Sequence, residues 1–282
     1  MAYHEITVVI TTFRSDNKII SCLNSIKRDI KVLMVENSNR VEFKEKIEKK
    51  YSNVTCLLAG ENLGYAKGNN FGLSKVKTKY ALILNPDAIL EKNAIDNFFT
   101  SVIKNQNFAI ISPSIQEEKE INFKADESKA ELIPVNNVKG FAMFFNLAQF
   151  ENIGFFDDNF FIYFEEIDLC KRLIQNNKKI FLDPNIRIYH SGGSSHDESI
   201  NYNMELSRNW HWMWSTFYFN KKYKGFFSSL INILPKLFSA IFKSIMYFFI
   251  FNKNKMRIYY QRASGIINSI LGKKSWYRPK VS

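Results

Sequence analysis

Tyr80-Ala81-Leu82-Ile83-Leu84-Asn85-Pro86-Asp87 is a run of five apolar residues halted by a polar turn. An apolar run with no polar alternation reads as a strand buried on both faces, and Asn-Pro ends it. Working outward, Tyr65 to Val76 reads as a helix, Val54 to Leu58 as a strand, and Val41 to Tyr51 as a charged helix. Lys31 to Val35 and Ile6 to Ile10 are further buried strands, with a helix from Ser15-Asp16 to about Lys27 between them. Downstream come a helix near Glu91 to Lys104 and a strand at Ala109 to Ser112. Strands and helices that alternate at this spacing make βαβ units. The expected fold is therefore α/β, a mixed and mostly parallel sheet with helices on both faces. Residues 113–137 read as a hairpin or surface loop, Val138 to Asn146 as a strand and Glu165 to Asn176 as a helix. Ile180 to Leu182 and Ile186 to Tyr189 read as two short strands around Asp183-Pro184.

Composition fits a globular chain: 46% of the 282 residues are hydrophobic and 23% charged. Aromatics reach 15%, with 26 Phe concentrated at 141–164 and 210–251. The net charge of +12 is unevenly placed. After Glu205 there are 14 Lys and Arg and no acidic residue, whereas the preceding part is close to neutral. That asymmetry divides the chain into a body, 1–200, and a basic, aromatic-rich helical tail, 201–282. Cys22, Cys56 and Cys170 are widely spaced, which disfavours a disulfide framework or a zinc site and suits a reducing compartment. Met1 to Glu5 runs directly into a strand with no room for a signal peptide, so the cytoplasmic side is expected.

In parallel sheets ligands bind beyond the carboxyl ends of the strands. Thr11 to Arg14, Glu36 to Asn39, Gly60 to Gly64 and Asn85 to Ala88 all fall there. Asp87 can hold Mg²⁺ or Mn²⁺ against a diphosphate, since such ions take one or two protein carboxylates and fill the rest with phosphate and water; it can equally cap a turn. Gly60, Gly64, Gly68 and Gly72 recur every four residues, but Glu61, Asn62, Lys67, Asn69 and Asn70 between them are too polar for a membrane helix seam. The pattern does not match G-x-G-x-x-G either, and Gly64 suits a close approach of backbone to ligand before a helix.

Phe160 to Phe164 leads into Glu165, Glu166 and Asp168 at a helix start. Carboxylates there complement the helix dipole. Apolar rings beside a carboxylate also raise its pKa, which suits a general base. Glu165 and Asp168 share a face and Glu166 points elsewhere, so their roles can differ. His190 ends a strand before Ser191-Gly192-Gly193-Ser194-Ser195-His196, either a plain connector or a phosphate-wrapping loop.

Together these residues resemble the family 2 glycosyltransferases, particularly the bacterial rhamnosyltransferase-like branch. The resemblance runs from Ile6 to about Ser195. It rests on Val8-Val9-Ile10-Thr11-Thr12-Phe13, Val35-Glu36-Asn37-Ser38, Asn62 to Asn70, Leu84-Asn85-Pro86-Asp87, Val138-Lys139-Gly140, and Gly154-Phe155-Phe156-Asp157 through Leu169-Cys170. It implies a GT-A fold, a nucleotide diphosphate-sugar donor, a divalent metal and inversion at the anomeric carbon. By position, Thr11, Thr12, Phe13 and Glu36 would contact the nucleoside, and Asn62, Gly64, Asn70, Asn85 and Gly140 would line the donor pocket. Asp87 matches the last carboxylate of the family's D-x-D element, and His190 a histidine that can complete the metal shell. Glu166 falls where the family's catalytic base, usually Asp, stands. Asn85 in place of the first D-x-D carboxylate and Glu at 166 are departures. They leave Glu165 and Asp168 as alternative bases, and an inactive donor-binding homologue as an alternative function.

Gly225 to Phe251 is mostly apolar but interrupted by Asn232, Lys236, Ser239 and Lys243 on one helical face. No stretch reaches the roughly 18 uncharged apolar residues of a span. An amphipathic helix in the membrane interface is expected, with flanking Lys and Arg favouring anionic lipid. A packed helical subdomain or an oligomer interface are the alternatives. Such docking would suit a lipid-linked acceptor, and the expected acceptor is a hydroxyl of a glycan or lipid-linked molecule. The pI near 9.4 and Trp210, Trp212 and Trp214 raise nucleic-acid binding, but no motif for it is present.

Overall fold

The computed structural model describes residues 3–116, 131–190 and 195–280. The chain forms two compact units, one of residues 1–156 and 166–197, the other of 157–165 and 198–282.

The first unit is built on a nine-stranded sheet, with strands β1 (Ile6–Thr12), β2 (Lys31–Glu36), β3 (Val54–Leu58), β4 (Tyr80–Leu84), β5 (Ala88–Leu90), β6 (Ile110–Gln116), β7 (Ile133–Pro134), β8 (Ala142–Asn146) and β9 (Ile180–His190). The order is β3-β2-β1-β4-β8-β6-β9-β5, with β7 pairing β9. β3, β2, β1 and β4 are parallel; β8 runs antiparallel between β4 and β6; β6 and β9 are parallel. Helices α1 (Asp16–Ser25), α2 (Val41–Lys50), α3 (Gly64–Leu73), α4 (Ala94–Lys104) and α5 (Glu165–Gln175) intervene.

Side chains alternate across β1, and both faces are covered. Val8 and Ile10 join one core with Ile19 and Leu23 of α1, Phe43 and Ile47 of α2, and Phe98 of α4. On the other face α3 presses against β1 and β2 through its glycines. A Cβ at Gly72 would lie 2.5 Å from Val9 Cγ1, and one at Gly68 2.6 Å from Thr11 Cγ2. Gly68 and Gly72 thus form a helix-on-sheet seam, Gly60 and Gly64 take left-handed turn positions before it, and Glu61 and Lys67 are exposed. This two-sided burial is why the strands read as continuous apolar runs.

Two expectations need correction. Ile180 to Tyr189 is one strand, not two, and its register against β6 shifts at Pro113/Ser114. The Asp183 carboxylate closes that irregularity by accepting from the backbone N–H of Asn185 at 2.8 Å and from the Ser101 hydroxyl. Between the turn expected at Asn85 to Ala88 and the helix expected near Glu91, the chain forms the short strand β5. It pairs antiparallel with β9, setting Ala88 opposite His190. Of the segment expected as a hairpin or loop, residues 117–130 lie outside the described residues, as do Ser191 to Ser194 of the Gly-Ser loop.

The second unit holds α6 (Asn201–Lys224), α7 (Phe226–Phe249) and α8 (Lys253–Ile270), each packed on the other two. Met213, Phe217, Ile233 and Ile266 form its core. Trp210 and Trp214 are buried and donate from Nε1 to Ser264 Oγ at 3.1 Å and to Lys273 O at 2.9 Å. Gly265 lets α8 cross α6 closely, because a Cβ there would meet the Trp210 carbonyl. His211 is buried, stacks on Phe161 at 4.3 Å and lies 2.8 Å from Tyr277 O through Nε2. Burial pushes its pKa down to about 3, so the ring is neutral and structural. Among the described residues α7 is the one helix long and apolar enough, by length and composition, to cross a membrane, which the count of uncharged positions does not suggest.

Candidate active site

The carboxyl ends of β1 and β2 are stitched to one another and to α3. Asn37 N donates to Thr12 O at 2.9 Å, and Asn37 Nδ2 to Gly64 O at 3.0 Å. Thr11 Oγ1 reaches Asn69 Oδ1 at 3.0 Å, while Thr12 is fully buried and donates to Val35 O. Glu36 is also fully buried; its Oε2 accepts from Arg40 N at 2.8 Å, and Arg40 in turn forks onto Asp16. Phe13 sits half-buried at the turn, where its N–H meets Ser15 Oγ. Gly64 adopts φ +76° with its N–H on Asn62 Oδ1, a tight turn that opens α3. Asn70 clasps the Phe156 peptide from both sides, donating to its carbonyl at 2.8 Å and accepting from its N–H at 3.1 Å. Most of these polar groups are therefore bonded within the wall, while among the described residues Glu36 Oε1 and Asn37 Oδ1 accept no hydrogen bond.

Beyond β4 the picture differs. Asp87 is buried, yet among the described residues neither carboxylate oxygen has a hydrogen-bond partner. His190 Nε2 stands 3.3 Å from Asp87 Oδ1 and 3.4 Å from Asn85 Nδ2. The pairing of β5 with β9 makes this meeting. Phe141 holds the imidazole by stacking on it at 4.8 Å, and Phe141 O accepts from Asn85 N at 2.8 Å. Cys22 lies below with Sγ 3.6 Å from Asn85 O; burial, then the Asp87 charge, push its thiol far up, so it is an inert neighbour.

The residue before Phe141 is Gly140. Its carbonyl accepts from the Tyr65 hydroxyl, and a Cβ placed on it would lie 3.7 Å from Glu166 Cβ. The two-residue step Gly140-Phe141 therefore has Glu166 against one residue and the Asn85–Asp87–His190 group against the other. Glu166 is half-buried, and burial pushes its carboxyl above the usual range, opposed by the N–H groups of its own residue and Ile167. Asp168 is fully buried and pairs with Arg172 Nε at 2.8 Å. Arg172 also donates to the carbonyls of Ile153 and Phe155, so this pair anchors α5. Glu165 is buried at the helix start and belongs to the second unit. Just before it, Tyr163 and Phe164 both hold left-handed backbone, φ +73° and +72°. Such conformations cost about 1–3 kcal/mol each and persist where packing imposes them; here both rings pack on Trp212 within the second unit.

Tyr65 and Phe141 carry much of this arrangement, and sequence reasoning does not single them out as site residues. Their signal is slight: Tyr65 follows Gly64 inside one quoted motif, and Phe141 directly follows Gly140 at the end of another.

Residues 7–170 match the sequence profile of glycosyl transferase family 2. The chain belongs to that family. This family 2 glycosyltransferase is 26% identical over 198 residues to the low-salt glycan biosynthesis hexosyltransferase Agl10 of Haloferax volcanii. That alignment covers 62% of this chain and 64% of the relative, so about a third of the relative's length lies outside it. Its fold resembles the mannosyltransferase PcManGT of Pyrobaculum calidifontis, solved with GDP-Man and Mn²⁺, at TM-score 0.59 and 9% identity over 96% of this chain and 88% of that one. It also resembles S. aureus TarS in complex with UDP, at TM-score 0.55 and 12% identity over 99% and 94%. The fold is GT-A-like: a mixed sheet with helices on both faces, plus a helical C-terminal region.

The residues present fit a divalent cation. A buried carboxylate that accepts no hydrogen bond among the described residues, with an imidazole nitrogen 3.3 Å away, is a two-donor set that leaves positions for phosphate and water. Among the described residues no three His, Cys, Asp or Glu side chains converge as a protein-only cage.

Proposed function

We propose that this chain is an inverting, metal-dependent hexosyltransferase. It moves a hexose from a nucleoside diphosphate sugar to a hydroxyl of a glycan or lipid-linked acceptor in cell-surface polysaccharide synthesis. The observation that carries this reading is the Gly140-Phe141 step, flanked by the buried Asp87–His190 carboxylate–imidazole pair and by a carboxyl of raised pKa.

In the reaction Glu166 accepts the proton of the acceptor hydroxyl. The oxygen attacks the anomeric carbon as the bond to the diphosphate breaks, and a single displacement inverts that centre. Asp87 and His190 would hold Mg²⁺ or Mn²⁺, which when bound neutralises charge on the diphosphate. Phe141 keeps the His190 ring in place, and the Tyr65 hydroxyl fixes the Gly140 carbonyl so that backbone can approach the sugar. Asp168, through Arg172, positions α5 and hence Glu166. Thr11, Thr12, Phe13, Glu36, Asn62, Gly64 and Asn70 shape the nucleoside and sugar pocket. The buried, unpaired cysteines suit a reducing compartment, and we place the enzyme on the cytoplasmic side of the membrane.

The test is thermal stabilisation and nucleoside diphosphate release across UDP-, GDP- and dTDP-hexoses, with and without Mn²⁺. dTDP-rhamnose belongs in the panel because of the branch the motifs resemble. One nucleotide class is expected to raise the melting temperature and to be cleaved only with metal. Stabilisation without release would mean an inactive homologue, and no stabilisation by any donor would overturn the reading.

A further inference from the structure

Among the described residues of the second unit, α7 presents a continuous face of exposed apolar side chains. One side of this helix, with Ser229, Ile233 and Ala240, is buried and packs toward Phe217 of α6 and Ile266 of α8. The side turned away carries Phe227, Ile231, Phe238, Phe242, Ile245 and Phe249, all exposed, with Phe227 at 79% and Phe242 at 68%. Their spacing of three, four and seven residues puts them in one stripe along the helix. Exposed apolar surface of this extent on a folded unit marks an interaction site.

The charge around the stripe selects its occupant. Lys221 and Lys224 stand exposed at one end of α7, and Lys253, Lys255 and Arg257 at the other. Beyond Glu205 the chain has no acidic residue to oppose them. We propose that the stripe is seated in the interface of an anionic bilayer, with α7 lying in the membrane plane and the basic ends on lipid headgroups. A second copy of the chain fits poorly. Both ends of α7 are basic, so stripe-to-stripe pairing in either direction brings like charges together. Crossing the bilayer fits poorly too, because it would carry Lys236 and Lys243 into hydrocarbon and strip the packed side of α7 from α6 and α8.

The test uses the full chain and vesicles, one set an equal mixture of phosphatidylglycerol and phosphatidylcholine, the other phosphatidylcholine alone. Co-sedimentation with the mixed vesicles is expected, and it weakens as salt rises and shortens the Debye length. Joint Phe238→Glu and Phe242→Glu changes should lower the bound fraction at least tenfold. Joint Lys253→Gln, Lys255→Gln and Arg257→Gln changes should lower it by about fivefold per charge. Both variants should keep the wild-type stabilisation by nucleotide sugar, which shows that they fold and separates this result from the transferase reading. Three results would overturn the proposal: no binding to the anionic vesicles, a dimer dissolved by the Phe changes without vesicle binding, or chain in cell membranes that resists carbonate extraction.

Discussion

Glu166→Gln is expected to lower turnover by about 10²–10⁴-fold, the usual contribution of a general base, while leaving donor-induced thermal stabilisation unchanged. Gln keeps the length and shape of the side chain but cannot take the acceptor's proton. The pH profile gives an independent check. Burial raises the Glu166 carboxyl, so the acid limb of the wild-type profile should fall above the ordinary glutamate range and vanish from the residual activity of the variant. Stability should move in the opposite sense. A carboxyl whose pKa is higher in the folded state binds its proton more tightly there, so it costs stability as pH rises from the unfolded toward the folded value, and the full cost is present above both. E166Q should therefore melt above wild type at neutral pH and level with it in acid. Turnover unchanged from wild type would remove Glu166 from the role and turn attention to Glu165.

Asp87→Asn should be comparably damaging to turnover, by about 10²–10³-fold, the scale of losing one electrostatic partner of the leaving group. Its clearer signature lies outside catalysis. A buried polar group left unsatisfied costs about 1–3 kcal/mol, and among the described residues the Asp87 oxygens accept no hydrogen bond, His190 Nε2 standing 3.3 Å from Oδ1. Asn carries no charge and can donate to His190 Nε2, so the metal-free variant should melt above the metal-free wild type. Addition of Mn²⁺ with nucleoside diphosphate should then raise the melting temperature of the wild type and not of the variant. A shift retained in Asp87→Asn would mean that the cation sits elsewhere.

Much of the first unit was legible because its physics is local. Strands covered on both sides must be apolar throughout, and Ile6 to Ile10, Lys31 to Val35 and Tyr80 to Leu84 show it. What escaped was pairing at a distance. β5 is three residues long, too short for any period to register, yet its ladder with β9 is what sets Asp87 beside His190. Asp183-Pro184 reads as a break because proline interrupts strands, whereas the Asp183 carboxylate and Ser101 hold the bulge inside one strand. The glycines of α3 were read against a membrane seam; their partner is β1, which spacing alone cannot name. In the acidic cluster the divergence of Glu166 from Glu165 and Asp168 followed from helical geometry. The pairing of Asp168 with Arg172 was present as an i, i+4 spacing without being drawn. For α7, composition indicated an amphipathic helix, but only the packing tells which side is bare.

The central claim is that Asp87 and Glu166 serve one reaction centre on either side of Gly140-Phe141. Anomalous diffraction from a crystal of the full chain grown with Mn²⁺ and the nucleoside diphosphate identified by the donor panel tests it most directly. The expected result is a single manganese peak bonded to Asp87, with the diphosphate on it and Glu166 facing the same cavity. A manganese–nucleotide complex bound away from Asp87, or Glu166 walled off from it, would contradict the account.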